Sequence, residues 1–180
     1  MNETKEKLLE ASKALTLHRP WDYAILKGTK WVENRSWAPK AAPGWIFLHS
    51  GSTWADRGVD MARAMDGASG LSTLEWEPFR IHGMVYVSGF IQPYEMPKDL
   101  PPELAAWKES ASVGWLIDQV AVFTDEAVKE IGSIRGAQRL WNLDAKTLAL
   151  VQLQIESGNY IMSSWRERWK RAEQVAALRK

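Results

Sequence analysis

The sequence predicts an α+β protein built on a curled sheet or small barrel, and three observations lead there. Short apolar segments of strand character recur along the chain, helical segments fall between some of them, and the end is helical. Strand and helix do not alternate in the regular order that a parallel βαβ array requires. With 180 residues, 46% of them hydrophobic and 25% charged, the chain fits one domain with a real core and a terminal extension.

In chain order, residues 2–13 read as a short polar helix, and "ALTL" (14–17) as a strand. Pro20 suits the first turn of a helix running to about Lys27 and stopped by Gly28. Trp31 to Trp37 has strand character, "APKAAPG" (38–44) is a loop, and "WIFLHS" (45–50) is an apolar strand. Residues 53–65 fit an amphipathic helix broken by "DGASGLS" (66–72). "RIHGMVYVSGFI" (80–91) carries the longest strand signal, with Gly83 and Gly89 marking bulges or bends. The proline-rich stretch 92–112 reads as loop or insertion with a short helix near 103–109. "VGWLIDQVAVF" (113–123) supplies one or two strands, and "IRGAQRLWNL" (134–143) a turn and a short strand. Helices are expected at 145–156 and 164–178, the second opened by the capping-box pattern Ser164-x-x-Glu167.

Composition removes several classes of function. The chain has no cysteine, which excludes disulfides, thiolate metal sites and cysteine nucleophiles. Its three histidines (His18, His49, His82) are scattered, so neither a metal nor a cofactor is expected. No apolar run is long enough to cross a bilayer and the charged N-terminus lacks a secretory signal, so a cytoplasmic protein without a membrane partner is expected. The net charge of +1 excludes a grossly basic nucleic-acid binder. It hides a local excess, since residues 166–180 hold six Lys or Arg against Glu167 and Glu173. The 11 tryptophans supply both core volume and flat stacking surfaces.

"GTKWVENRSW" (28–37) concentrates this chemistry. In a strand Trp31, Glu33, Arg35 and Trp37 share one side, and Lys30 meets Glu33 only from the turn after Gly28. One reading is a surface ion pair with aromatics packed on its stem. The other is a polar site in which a carboxylate and a guanidinium fix a planar ligand, between aromatic walls and beside a lysine.

The wider pattern resembles the opening of the ASCH domains, a branch of the PUA-like superfamily that also contains EVE and YTH domains. An apolar strand precedes Arg19-Pro20-Trp21, a short helix, and Gly28-x-Lys30-x-x-Glu33-x-Arg35 with Trp37. A strand ending in His49-Ser50 follows, then "HGMVYVSGF", then "IRGAQRLWNL", similar to a closing Gly-x-x-x-Leu-Trp element. The likeness covers about residues 14–143. It frames a PUA-like domain over 1–143 with an insertion at 92–112, and leaves 144–180 as a helical extension packed on it. The resemblance implies a small β-barrel whose cleft, lined by the Lys-Glu-Arg segment, binds RNA or a nucleotide with an unusual base. That implication suits the residues, because reading a single-stranded base takes stacking surfaces, edge-reading polar groups and cations for phosphate. Trp21, Trp37 and Trp115 are candidate stacking surfaces.

Some ASCH proteins are amidohydrolases of acylated cytidine and others are linked to RNA cleavage. The amidohydrolase lysine matches Lys30, but the position of its partner threonine holds Glu33, which could act only as a base toward water. The expected function is therefore recognition of RNA, single-stranded nucleic acid or a modified nucleoside by Arg19, Trp21, Lys30, Glu33, Arg35, Trp37, His49, Ser50, Arg135, Gln138 and Arg139. The alternative is a metal-independent hydrolase, amidohydrolase or ribonuclease, in which Lys30 and Glu33 are the acid/base pair. Trp45 and Trp141 are expected in the core. The last helix carries an apolar stripe at Trp165, Trp169, Ala172 and Ala176 with basic flanks, and is expected either to dock with that face solvated or to cover the cleft.

Overall fold

The computed structural model describes residues 3–55, 57–58, 60–61 and 76–178. In chain order the elements are α1 (Glu3–Leu9), β1 (Lys13–Arg19), α2 (Trp21–Leu26), β2 (Val32–Arg35), β3 (Gly44–Trp54), β4 (Ile81–Ile91), α3 (Pro102–Ala105) and β5 (Val113–Phe123). They continue with α4 (Asp125–Ile131), β6 (Leu140–Asn142), α5 (Ala145–Glu156), β7 (Tyr160–Ser164) and α6 (Trp165–Leu178). Residues 53 and 54, expected to open a helix, instead finish β3; residues 57, 58, 60 and 61 are helical as expected, and residues 56, 59 and 62–65 with the break at 66–72 lie outside the described residues. No described helix is long and apolar enough to cross a membrane.

The seven strands form one sheet in the order β2-β5-β4-β3-β1-β6, with β7 also on β5. β1 runs parallel to β3, and its other edge meets β6 antiparallel. The expected barrel does not close, because no ladder among the described residues joins β2 or β7 to β6. The two ends of the strand order are short, β2 with four residues and β6 with three, and so offer little backbone for a closing ladder. The outer edge of β5 is shared instead, residues 113–116 pairing with β2 and residues 119–123 with β7. Curvature comes from irregular register in β4 opposite β5, between Tyr86 and Val87 and between Val87 and Gly89.

Most of the buried apolar residues described fall into two clusters. Trp31, Trp107, Trp115, Leu17 and Leu26 belong to the cluster on the side of α2. Phe47, Met84, Val151 and Ile155 belong to the other, beneath α1, α4 and α5. The segment after residue 144 is more than helical, since β7 gives the central sheet a strand that the sequence reading left unassigned. Helix α4 was also unassigned, although Thr124 caps it through its side chain, accepting from the Ala127 amide. The capping box of α6 forms in both directions, Ser164 N–H to Glu167 Oε2 at 2.7 Å and Glu167 N–H to Ser164 Oγ at 3.4 Å.

Candidate functional site

Helix α2 is short, and its end sets the site. The Gly28 amide returns to the Tyr23 carbonyl at 3.3 Å and the Lys30 amide to the Ala24 carbonyl at 3.1 Å. Lys30 therefore leaves the turn one residue before Trp31, whose carbonyl joins the β5 amide of Ile117 at 3.0 Å. This is the turn position that Lys30 needs in order to meet Glu33. Its Nζ donates to Glu33 Oε2 and to the Val32 carbonyl, each at 2.6 Å, with side chains only 4% and 8% exposed. Arg35 Nη1 stands 3.5 Å from the second oxygen, Glu33 Oε1. Burying opposite charges costs desolvation, and the cost is offset where each ion finds further polar partners. Here the ammonium has a carbonyl and the Trp21 ring face 5.5 Å away, and the carboxylate has a cation on each oxygen.

The pair opens onto a cavity of about 670 Å³. Trp21, Lys30, Glu33 and Arg35 line it on one side. Thr16 and His18 of β1 and His49 of β3 line it on another, and Arg135, Gln138 and Arg139 form its rim. The lining places four cations against two carboxylates, Glu33 and Glu109. Arg135, Gln138 and Arg139 are exposed, and Arg139 holds a left-handed backbone with φ 59°.

The rim loop is held by His49. Its Nε2 lies 2.9 Å from the Ile134 carbonyl, an acceptor, so Nε2 carries the proton. Nδ1 then accepts from the Thr16 hydroxyl at 3.2 Å, while Thr16 Oγ1 accepts from Trp141 Nε1 at 3.2 Å. Burial holds the His49 pKa below the usual imidazole value, against the opposing Ile134 hydrogen bond. With both nitrogens engaged, His49 positions the loop and does not offer a proton to a ligand. Gly136 lies directly above, and a Cβ there would come within 2.5 Å of His49 Cε1 and Nδ1.

Three expected ligand residues do not line the cavity. Ser50 donates to the fully buried Asp22, whose carboxylate also accepts from Trp76 Nε1 at 2.6 Å. Burial raises the Asp22 pKa against the opposing Ser50 and Trp76 hydrogen bonds. Arg19 turns away, donating to the Ser52 carbonyl at 2.9 Å and covering the Trp54 ring at 4.6 Å. Trp37 packs edge-on against Trp115 at 4.7 Å and accepts through its carbonyl from Trp115 Nε1 at 2.9 Å, which makes both packing residues. Trp45 is in the core as expected, whereas Trp141 is half-buried and serves Thr16.

Sequence reasoning missed Asn34, Trp107 and Glu109, which also line the cavity. Asn34 Nδ2 donates to the Trp107 carbonyl at 2.7 Å and its Oδ1 accepts from the Glu109 amide at 3.0 Å. One side chain thus clips the 92–112 segment to β2, and Trp107 meets Trp21 edge-on at 6.5 Å. The segment is a wall of the cleft. Position 34 carried the only signal, an asparagine between two site residues. Among the described residues none of α6 lines the cavity, but Arg168 donates to the carbonyls of Ile25 (3.3 Å) and Gly28 (3.2 Å) and to Ser163 Oγ (2.8 Å). It thereby supports the turn that carries Lys30 from behind. Among the described residues no three His, Asp or Glu stand together as a metal site.

No family model matches the chain, and no curated protein matches it. Among solved structures it is similar to ASCH from Zymomonas mobilis, at 14% identity over 85% of this chain and 97% of that one, with a TM-score of 0.41. Two point variants of the same Zymomonas mobilis protein match at 14% identity over 83% of this chain, covering 96% and 98% of theirs, with TM-scores of 0.40 and 0.41.

Proposed function

We propose that the cleft holds one unit of a single-stranded nucleic acid, RNA foremost, or a free nucleotide, with the base against Glu33 and phosphate at the rim. The observation that carries this reading is a buried carboxylate held between an ammonium and a guanidinium in the wall of a cavity rimmed by Arg135, Gln138 and Arg139. A carboxylate fixed in this way is a pre-oriented acceptor for a base edge, the half-buried indole of Trp21 gives π surface, and the rim cations meet phosphate. Stacking of this kind contributes roughly 1–3 kcal/mol per base. Lys30, donating to both the Val32 carbonyl and Glu33, orders the carboxylate, which suits recognition better than proton transfer. In this reading residues 1–143 form the binding domain, and 144–180 an extension that supports it through β7 and Arg168.

The test is a tryptophan-fluorescence titration with single-stranded RNA, single-stranded DNA and free nucleotides at several salt concentrations. Saturable quenching is expected, weaker as salt rises by a log–log slope of about 0.7 per phosphate neutralised on a single strand. Glu33→Ala should weaken it tenfold or more. Absence of quenching with every ligand would remove the reading, and turnover of an acylated cytidine would replace it with hydrolysis.

A further inference from the structure

We infer that the base position is built for guanine, or another base presenting two neighbouring N–H donors; the inference rests on the nucleotide-binding reading above. The argument compares polar groups engaged within the protein with those left for a ligand. His49 has both nitrogens bonded, Thr16 serves His49 and Trp141, and Asn34 has both ends bonded to the Trp107–Glu109 backbone. His49 has no position left for a ligand, Thr16 keeps one lone pair, and Asn34 keeps one N–H and one lone pair, so none of them presents two adjacent acceptors.

Glu33 differs. A carboxylate has about four acceptor positions. Lys30 engages Oε2 and Arg35 stands at Oε1, which leaves each oxygen a further lone pair beside the cavity. The rigid reading element is therefore a pair of adjacent acceptors, fixed by two cations so that it cannot rotate to present anything else. Glu109 and Gln138 also border the cavity, but both are exposed and can turn to suit several partners.

Two adjacent acceptors select two adjacent donors. The pairing edge of guanine sets N1–H beside the 2-amino N–H. Adenine and cytosine place a bare ring nitrogen beside their amino group, and uracil flanks its N3–H with two carbonyl oxygens. Each of those three brings a lone pair against the carboxylate. A bidentate contact of this type discriminates roughly ten- to a hundredfold against the wrong base. The half-buried Trp21 indole at the same cavity provides surface for a purine, and about 670 Å³ is ample for a purine nucleotide.

The experiment is a titration of the full chain with GMP, IMP, AMP, CMP and UMP at one low salt concentration. GMP should bind tightest. IMP, which lacks only the 2-amino group, should bind roughly tenfold more weakly, and the other three weaker still. Glu33→Gln, which presents one donor and one acceptor, should abolish the GMP preference; a circular-dichroism melt checks that it folds, and the GMP–IMP comparison on the unaltered chain stands if it does not. Equal affinity for all five nucleotides, or preference for another, overturns the guanine assignment and leaves the nucleotide site intact. Binding of no nucleotide and no single-stranded RNA overturns both.

Discussion

The floor and the rim of the cleft are built on opposite principles. At the floor, Lys30 and Glu33 are almost sealed from water, and their bonds are short and internal. At the rim, Arg135, Gln138 and Arg139 are exposed on a loop whose hold on the fold is Ile134, bonded to His49 and to the Phe79 carbonyl. Buried, fixed groups have one geometry to offer and so choose among ligands. Exposed, extended cations adjust to a phosphate wherever it lies and contribute affinity that salt screens. Under the proposed nucleotide reading, the contrast assigns selectivity to the floor and strength to the rim.

The contrast breaks most visibly at Glu33. Glu33→Ala strands a buried ammonium and should cost about 3–5 kcal/mol in urea unfolding along with ligand binding. Replacing the pair together, Lys30→Met with Glu33→Leu, should return most of that stability while binding stays lost. Next is the joint between the two regions: Gly136→Ala drives a methyl into His49 and should cost about 1–3 kcal/mol. Binding should fall with it, read by the same titration. Arg168→Ala removes the support behind Lys30 and should cost about 1–2 kcal/mol. It should weaken ligand affinity without changing its salt slope, since Arg168 does not line the cavity.

Acid acts on the same joint. The native pKa of His49 is depressed, so below about 6.5 the unfolded chain takes up a proton that the native chain refuses. Its contribution is fully present above that pH and declines as pH falls toward the native value, by at most about 1.4 kcal/mol per pH unit. Stability measured from pH 7.5 to 5 should show this decline, and His49→Gln should flatten it. Buried His82 declines in the same direction, its pKa depressed by burial to about 4, so His82→Gln serves as the control for separating the two. Asp22 has the opposite sign, because its raised native pKa means that deprotonation weakens the fold as pH rises. The smallest change in stability belongs to the rim: Arg135→Ala should move it by less than about 0.5 kcal/mol, yet reduce the salt slope of binding by about 0.7 if Arg135 meets one phosphate.

What the sequence revealed of this protein follows distance along the chain. The Lys30–Glu33–Arg35 constellation spans six positions, and turn geometry plus strand parity predict its convergence. Helix α5 and the capping box of α6 are equally local, and both formed where expected. Partners far apart in sequence stayed hidden. Ser50 reads as a ligand donor until Asp22, 28 positions earlier, claims its hydroxyl. His49 reads as a candidate ligand residue until Ile134, 85 positions later, engages its Nε2. Trp37 was assigned to stacking because strand parity placed it with Glu33, but β2 stops at Arg35 and parity no longer governs the residues beyond. Strand β7 was missed because "NYIMSS" is too short and too mixed for period-two alternation to register; its pairing with β5 is tertiary.

The hydrogen bond from Lys30 to the Val32 carbonyl has a consequence beyond ligand recognition. Successive strand carbonyls point to opposite sides, so with Trp31 bonded to β5 the Val32 oxygen faces the unpaired margin of the sheet. An unpaired sheet margin, once opened to solvent, invites a strand from another molecule. The ammonium fills the first acceptor such a strand would need, and the 107–109 backbone, held by Asn34, stands alongside. Removing the lysine frees this acceptor at the margin of β2, and concentration-dependent association of such a variant, measured by light scattering, is the expected outcome.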